Sequence, residues 1–558
     1  MNHKLLIISI SLFTLNLMAQ NNKATFNYFE YVGNDSMFNQ KIDNKNEFFN
    51  PILPGFYPDP SVCQKGEDYY LVNSTFSYFP GVPIFHSKDL VNWKQMGHIL
   101  DRPSQLKTEG LGLSEGIFAP AIEYNKENDT FYMITTLVKK GNSGPTFVVK
   151  AKNPSGPWSD PIWLPEVGGI DPSLSFFDGK AYVVNNEDPE GGQIYSGHKA
   201  IWMQEFDTKT DKMVGARKQI INGGNDITKK PIWIEGPHLY KIDKYYYLMA
   251  AEGGTGFNHS EVIFRSSEIF GPYIPNKNNP ILTQRNLPDD RENKVTCTGH
   301  ADLIQNANGD WYAVFLGIRP YKDRFANTGR ETFMLPVKWN DGFPVILEKE
   351  KPVPIITSIE NTKVIGKTLS GNFSWRDDFN SPTLKMEWNM IRTPNEKWWS
   401  LSGNKLEIDA IERSINNLTN PAFIGRRQQH QIFTAETEIE FYPKTKKEIA
   451  GLVLFQNEKN YVFVGKTIID DKPTLVIQNR IEGQTSLIVS HKLSDKDAKS
   501  ALKLKFEVNG GECKISYTGI ENKPKLLMDS IDITHLSTQK AKGFVGSYIG
   551  MYACSINE

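Results

Sequence analysis

Cysteine is scarce in this chain of 558 residues, which contains only Cys63, Cys297, Cys513 and Cys554. Because none of them forms a Cys-x-x-Cys pair, the sequence excludes a disulfide-built scaffold and the usual zinc-binding spacings. Cys513 and Cys554 lie in the same C-terminal region, and the sequence leaves open whether they form a disulfide.

An excess of either charge is also absent, since 63 lysines and arginines stand against 64 aspartates and glutamates and give a net charge of −1. Binding to nucleic acid or to an anionic membrane surface depends on a basic excess, so we expect neither partner. Disorder is excluded too, because 39% of the residues are apolar and the charges balance. The chain is instead rich in aromatics, at 12%, and long enough for two large β domains.

Long apolar runs are missing except at the N terminus. Residues 5–18 follow Lys4 and are interrupted only by serine, threonine and asparagine. The run is short for a membrane span and predicts a signal peptide, residues 1–19, and therefore export to a bacterial periplasm or secretion. No cysteine lies at the cleavage point, so we expect no membrane anchor. A buried N-terminal strand is the alternative interpretation.

One short pattern is present five times and indicates the fold. Each copy is a turn followed by an aromatic and aliphatic strand, as in residues 178–183, and the recurring tyrosines are Tyr70, Tyr132, Tyr182, Tyr247 and Tyr312. Their spacing of 50 to 65 residues accommodates four short strands per repeat, as in a propeller blade. We therefore predict an all-β chain that begins with a five-bladed β-propeller. A row of β-sandwiches is the competing architecture.

The repeat stops near Val345, and a proline-bearing segment, residues 351–354, follows it. Beyond that segment, alternating strands such as residues 437–441 predict one jelly-roll-like β-sandwich. The predicted organisation is a signal peptide (1–19), an N-terminal extension (20–48), the propeller (49–350), a linker (351–370) and the β-sandwich (371–558).

Polar residues occupy a similar position in four of the repeats. Asp59 and Asp171 lie 11 residues before the tyrosine of their repeat, and Glu235 and His300 lie 12 residues before theirs. Because the innermost strands of a propeller begin around one end of its axis, we expect these side chains to converge. Three carboxylates without a metal cluster suit glycosidic bond hydrolysis, which needs a protonated acid and an ionised base. Taken singly, an Asp-Pro pair is also an ordinary turn signal.

Aromatic residues flank these positions and offer a floor for a sugar ring. We assign this role to Phe76 and Phe118 and expect most of the other aromatics to pack between blades.

Five strings surround these positions: residues 56–61, Ser74-Thr75-Phe76, and residues 233–240, 299–303 and 329–333. Together they resemble glycoside hydrolase family 43, in its two-domain β-xylosidase and α-L-arabinofuranosidase branch, and the resemblance extends from Asn50 to the C terminus. It implies an inverting hydrolase with no required cofactor, in which Asp59 is the general base, Glu235 the general acid, and Asp171 tunes and orients that acid.

The resemblance also implies residues that bind the terminal sugar. His300 and Arg330 are expected to line its subsite, and Tyr548 of the sandwich is expected at the rim, which favours exo action. In some relatives the equivalent histidine helps to hold calcium, so the presence of a structural calcium ion stays open.

The sequence departs from many xylosidase-like relatives at Phe118-Ala119-Pro120-Ala121, where they have Trp-Ala-Pro-Asp. An altered wall suits a furanose ring, so we favour an exo-acting α-L-arabinofuranosidase that acts on hemicellulose side chains or oligosaccharides. A β-D-xylosidase with the same mechanism is the first alternative, and a non-catalytic carbohydrate-binding propeller is the alternative from another class.

Overall fold

The computed structural model describes residues 22–43, 45–140, 143–359 and 369–556, which are mostly strands. The predicted signal peptide lies outside the described residues. The described helices are all short: Ser36–Asn39, Ile227–Lys229, Asp495–Ala498, Thr534–Leu536 and Thr538–Ala541. None of them is long and apolar enough to cross a membrane.

Five antiparallel sheets form the blades of a propeller, and the first strands of neighbouring blades contact one another around its axis. Blade one consists of Ser61–Lys65, Asp68–Val72, Gly81–Ser87 and Lys94–Leu100. Blade two consists of Gly116–Asn125, Thr130–Val138, Thr146–Ala151 and Ile162–Leu164. Blade three consists of Ile170–Phe177, Lys180–Glu187, Ala200–Asp207 and Lys212–Asn222.

Blades four and five complete the ring. Blade four consists of Glu235–Ile242, Tyr245–Glu252, Ser260–Ser266, Ile274–Pro275 and Leu282–Thr283. Blade five consists of Thr296–Gln305, Trp311–Ile318 and Glu331–Pro336. Short paired strands lie outside the blades: Glu47–Phe49 with Ile356–Ser358, Lys338–Asn340 with Phe343–Val345, and Tyr78–Phe79 with Met390–Ile391.

The recurring tyrosines lie in the second strand of every blade, as the repeat predicts, and several pack between blades. The Tyr70 ring lies edge-on to Phe131 of blade two at 5.1 Å between centroids, and Tyr132 lies 5.2 Å from Phe176 of blade three. Such aromatic pairs contribute about 0.5–1.5 kcal/mol beyond their buried area. Much of the aromatic content therefore stabilises the contacts between blades.

The segment that precedes blade one closes the ring of blades by pairing with blade five. Leu53 and Thr332 of blade five exchange backbone hydrogen bonds of 3.2 Å in both directions. The N-terminal side of the propeller thus pairs with the last strand of the three-stranded blade five and protects its edge.

The second domain is a sandwich of two sheets. One sheet has the order Trp399–Ser402, Lys405–Asp409, Lys23–Gly33, Ile432–Glu440, Leu502–Asn509, Glu512–Thr518 and Pro524–Asp532, with Ser374–Asp377 also paired to Lys23–Gly33. The other has the order Phe423–Arg427, Tyr548–Ser555, Glu448–Asn457, Asn460–Ile469, Lys472–Ile481 and Gln484–Lys492. The predicted propeller followed by a β-sandwich is confirmed.

The residues predicted to form an N-terminal extension are not separate from the two domains. Strand Lys23–Gly33 lies inside the larger sandwich sheet, where Phe26, Phe29 and Tyr31 are buried in its core. The alternation of buried residues is typical of a strand, but its partners lie hundreds of residues away and the sequence gives no sign of the pairing.

Cys513 and Cys554, whose pairing the sequence left open, are both buried and do not form a disulfide with each other in the structure. Alternate residues of a strand point to opposite faces. Cys513 lies in the core between the two sandwich sheets, whereas Cys554 packs with Tyr548 and Tyr552 in the cluster shared with the propeller.

Candidate active site

The same backbone turn lies just before or within the inner strand of every blade. The residue at this turn has a positive φ in every blade: Asp59 (50°), Ala119 (39°), Asp171 (53°), Gly236 (57°) and His300 (52°). Positive φ is uncommon for residues with a side chain and marks positions that the surrounding structure holds in place. In blade four the turn falls on Gly236, so Glu235 precedes the equivalent position by one residue.

A cavity of about 200 Å³ lies at these strand starts. Its lining residues are Asp59, Phe76, Phe118, Ile170, Asp171, Trp233, Glu235, Gly254, Thr255, His300, Arg330 and Phe544. The structure therefore brings together every predicted site residue except Tyr548.

Asp59 is held as an ionised carboxylate. Its Oδ1 accepts a 2.7 Å hydrogen bond from Nη1 of Arg330, and its Oδ2 accepts one of 2.7 Å from the hydroxyl of Ser74. Burial alone would raise the pKa of Asp59, but the charge of Arg330, then His300 and the Ser74 hydroxyl, hold the pKa below its usual value.

Glu235 is in the opposite electrostatic situation. Burial, followed by the negative charges of Asp171 and Asp59, raises the pKa of Glu235 well above its usual value. Burial and the charge of Asp59 raise the pKa of Asp171 to about 7. The three carboxyls thus include one that loses its proton readily and one that keeps it near neutral pH.

Asp171 is also linked to the acid through the backbone. Its Oδ2 accepts a 3.2 Å hydrogen bond from the N–H of Gly236, the residue that follows Glu235. This contact crosses from blade three to blade four and fixes the chain on which Glu235 is carried.

His300 lies beside Asp59, with 3.8 Å between its Nδ1 and Oδ1 of the carboxylate. Burial lowers the pKa of His300 to about 4. Its ring is therefore neutral near pH 7 and able to exchange a hydrogen bond with a hydroxyl group of a ligand.

Three phenylalanines form an aromatic wall of the cavity. The centroids of Phe76 and Phe118 lie 4.6 Å apart, and Phe544 of the sandwich lies 6.0 Å from Phe76 and 5.8 Å from Phe118. The Arg330 guanidinium lies 5.7 Å from the rings of both Phe76 and Phe544. The C-terminal domain thus forms part of the cavity wall.

The prediction that Tyr548 forms the rim is wrong in its choice of residue. Tyr548 is fully buried and its ring stacks on Tyr78 at 3.8 Å between centroids, in the interface between the domains. Phe544, four residues earlier, reaches the cavity instead, because it precedes strand Tyr548–Ser555 in an irregular segment.

Sequence reasoning missed Ser74, Trp233, Thr255 and Phe544. Ser74 and Trp233 lie inside strings that carry the family resemblance, so their position was a usable signal. Thr255 follows a glycine pair in a loop, and no comparable pattern marks it or Phe544.

Calcium takes six to eight oxygen ligands, and within the described ranges no group of three or more His, Cys, Asp or Glu side chains is placed to hold a metal ion. We therefore derive no step through a metal.

The geometry agrees with comparisons to known proteins. The profile described as Glycosyl hydrolases family 43 matches residues 48–344, and the profile of the Beta xylosidase C-terminal Concanavalin A-like domain matches residues 376–558. The chain belongs to glycosyl hydrolase family 43. This assignment makes the protein a glycoside hydrolase and sets aside the non-catalytic propeller.

Curated relatives span nearly the whole family 43 chain. The Xylosidase/arabinosidase of Butyrivibrio fibrisolvens is 40% identical over 513 residues, which cover 91% of this chain and 95% of the relative. The Non-reducing end alpha-L-arabinofuranosidase BoGH43B of Bacteroides ovatus is 38% identical over 528 residues, 91% of either chain. These relatives support exo-acting glycoside hydrolysis.

Solved structures of family 43 share the two-domain arrangement. A GH43_12 protein retrieved from capybara gut metagenome has a TM-score of 0.89 at 42% identity, covering 96% of this chain and 100% of that one. The xylan beta-1,4-xylosidase from Bacillus halodurans has a TM-score of 0.82 at 33% identity, covering 91% and 97%.

Proposed function

We propose that this glycoside hydrolase releases single α-L-arabinofuranosyl residues from the non-reducing ends of hemicellulose side chains or oligosaccharides, with inversion at the anomeric carbon. The observation that carries the proposal is the pair formed by ionised Asp59 and protonated Glu235 in a cavity of about 200 Å³. That volume is below the roughly 300–1,000 Å³ of drug-sized ligand sites and suits one sugar ring.

The two carboxyls supply the acid and the base. Glu235 gives its proton to the glycosidic oxygen as the bond between that oxygen and the anomeric carbon breaks. Asp59 takes a proton from a water molecule, and the oxygen of that water bonds to the anomeric carbon from the opposite face of the ring. Asp171 keeps Glu235 protonated and holds its backbone through Gly236.

The preference for arabinofuranose is supported by the aromatic wall. Phe118 contributes a smaller ring than the tryptophan of xylosidase-like relatives. The rings of Phe76 and Phe544 pack against Phe118. The Bacteroides ovatus relative is named as an arabinofuranosidase. A β-D-xylosidase is the second candidate, because the Butyrivibrio relative carries both activities in its name.

The test compares purified wild-type protein with Asp59→Asn and Glu235→Gln on 4-nitrophenyl α-L-arabinofuranoside and β-D-xyloside. We expect kcat/KM to favour the arabinofuranoside and each variant to lose about 10²–10⁴-fold in kcat on it. Glu123→Gln, on an inner strand but outside the cavity, is the matched control and should retain full activity. A higher kcat/KM on the xyloside would move the assignment to the second candidate.

Stereochemistry is read from the same reaction. Early ¹H NMR spectra during hydrolysis should show the inverted anomer of the released pentose before mutarotation. A first product with retained configuration would reject Asp59 as a base that activates water.

We also propose that the protein is exported through the predicted signal peptide. Fractionation of expressing bacterial cells should find the mature chain outside the cytoplasm.

A further inference from the structure

A second cavity, of about 760 Å³, opens at the other end of the propeller axis. It is lined by the far ends of the inner strands of all five blades and shares no residue with the catalytic cavity. An extended strand rises about 3.3 Å per residue. Glu235 and Ile242, at the two ends of one inner strand, therefore lie about 20 Å apart, and one cavity lies at each end.

The lining offers apolar surface to a ligand. Five partly exposed aromatic residues border the cavity: Tyr124, Phe176, Phe177, Tyr240 and Trp311. They come from four different blades, so a ligand in the cavity meets ring faces or edges on several sides. Aromatic rings of this kind accept the C–H faces of sugars as well as other apolar groups.

Charge in this lining is balanced, and four of the charged side chains form ion pairs within it. Apart from Glu123, the lining contains four lysines, Lys126, Lys180, Lys209 and Lys241, and four acidic residues, Glu127, Asp178, Glu205 and Asp207. Lys241 pairs with Asp178 at 2.5 Å, and Lys180 pairs with Glu205 at 2.8 Å. A balanced lining gives no net attraction to phosphates or polycations, so it favours an uncharged ligand.

Glu123 places a carboxyl group in this cavity with little to satisfy it. Among the described residues, its carboxylate accepts a hydrogen bond from the N–H of Tyr124, at 3.3 Å. The neighbouring Asp302 is fully engaged, since it accepts hydrogen bonds from the Ser61 hydroxyl, the Val62 N–H and the Tyr240 hydroxyl. Glu123 therefore keeps most of its hydrogen-bonding capacity for a ligand.

The protonation of Glu123 fits a neutral partner. Burial and the charge of Asp302 raise the pKa of Glu123 to about 8, so near pH 7 it is a neutral group that both donates and accepts. The other titratable groups that interact with Glu123 are Cys63 and Lys126, and Tyr240 lines the same cavity. Burial raises the pKa of Cys63 and of Tyr240 well above the usual values, so both stay neutral in this range.

We propose that this cavity, named here the distal funnel and defined by Glu123, Tyr124, Phe176, Phe177, Tyr240 and Trp311, is a second, non-catalytic binding site for a neutral oligosaccharide. The ligand class follows from the lining, so it does not depend on which pentose the catalytic cavity cleaves. A second site on the same molecule raises the effective concentration of a branched glycan near the enzyme.

The test is calorimetric titration of the full chain carrying Asp59→Asn and Glu235→Gln, so that the probe is not consumed. Xylotetraose should bind at the distal funnel, whichever pentose the catalytic cavity accepts. Adding Glu123→Ala should weaken this binding at least tenfold. Tyr124→Ala, at a partly exposed aromatic, is a second variant with the same expected loss. No binding of xylotetraose, or equal affinities with and without these changes, would overturn the distal funnel.

Glu123→Gln is the matched control, because an amide also donates and accepts without charge. This variant should retain binding at the distal funnel, and its affinity should stay constant as the pH rises through about 8, where the unmodified Glu123 ionises and binding at the distal funnel weakens. Tetragalacturonate, an acidic probe, should bind the distal funnel less tightly than xylotetraose. Tighter binding of the acidic probe would overturn the neutral ligand class.

Failure here is distinguishable from failure of the proposed function. Glu123→Ala in the otherwise wild-type chain should hydrolyse small nitrophenyl pentosides at the wild-type rate, since those substrates need only the catalytic cavity.

Discussion

At the scale of a single residue, the Ser74 hydroxyl helps to hold Asp59, the proposed base, in its ionised form. It donates to Oδ2 of Asp59 and accepts from the N–H of Ala119 in blade two. Hydrogen bonds to charged groups contribute about 1.5–3 kcal/mol. We predict that Ser74→Ala raises the pKa of Asp59, moves the acidic limb of the kcat/KM profile to higher pH and lowers kcat/KM on that limb about tenfold.

Ser61 provides the matched control for this pH profile. It is a buried serine with the same pattern of contacts, because its hydroxyl donates to Asp302 and accepts from the N–H of Ile122 in blade two. Ser61→Ala should leave the acidic limb in place. If both variants move it equally, the effect is a general loosening between blades one and two and not a property of Asp59.

Four polar residues of the candidate site could be predicted from the sequence because they recur in phase with the blades. Asp59, Asp171 and His300 lie at the positive-φ turn of their blade. The role of Ser74 could not be predicted, because it depends on a backbone N–H contributed by another blade. Glu235 also lies one residue before its equivalent turn, an offset that counting from the tyrosines does not resolve.

At the scale of one element, the segment before strand Tyr548–Ser555 forms one side of the proposed active site through Phe544. The Phe544 N–H donates to the Ser114 hydroxyl at 3.0 Å, and the Val545 carbonyl accepts from the Gln456 side chain at 2.9 Å. The segment is thus fixed to both domains. We predict that Phe544→Ala raises KM for a 4-nitrophenyl pentoside about tenfold, equivalent to about 1.4 kcal/mol, in steady-state kinetics.

Tyr548→Phe tests whether Tyr548, and not Phe544, contacts the substrate at the cavity. The Tyr548 hydroxyl is buried without a hydrogen-bond partner among the described residues, and the ring does not line the cavity. Removing that hydroxyl should leave KM unchanged. A raised KM in Tyr548→Phe with a normal KM in Phe544→Ala would reverse the assignment.

At the scale of the whole molecule, the two domains contact each other, and the N-terminal segment contributes residues to both of them. Strand Lys23–Gly33 lies in the sandwich, while Leu53, some twenty residues later, closes the propeller. Local patterns predicted both domains because repeats and alternation are visible along the chain. They did not predict that strand Lys23–Gly33 belongs to the sandwich, because pairing between strands about 400 residues apart has no local signal.

Arg319 joins the shared chain to both domains. Its guanidinium donates twice to Glu331 of blade five, to Asp35 at 3.0 Å and to the Gln429 carbonyl of the sandwich at 3.3 Å, and the three charged side chains are buried. Arg319→Met leaves two buried carboxylates unpaired, so we predict a loss of about 3–5 kcal/mol in the free energy of unfolding, measured by urea titration. Arg324→Met, which removes an exposed pair with Asp289, should cost less than about 1 kcal/mol. Equal losses in the two variants would show that the buried cluster does not hold the domains together.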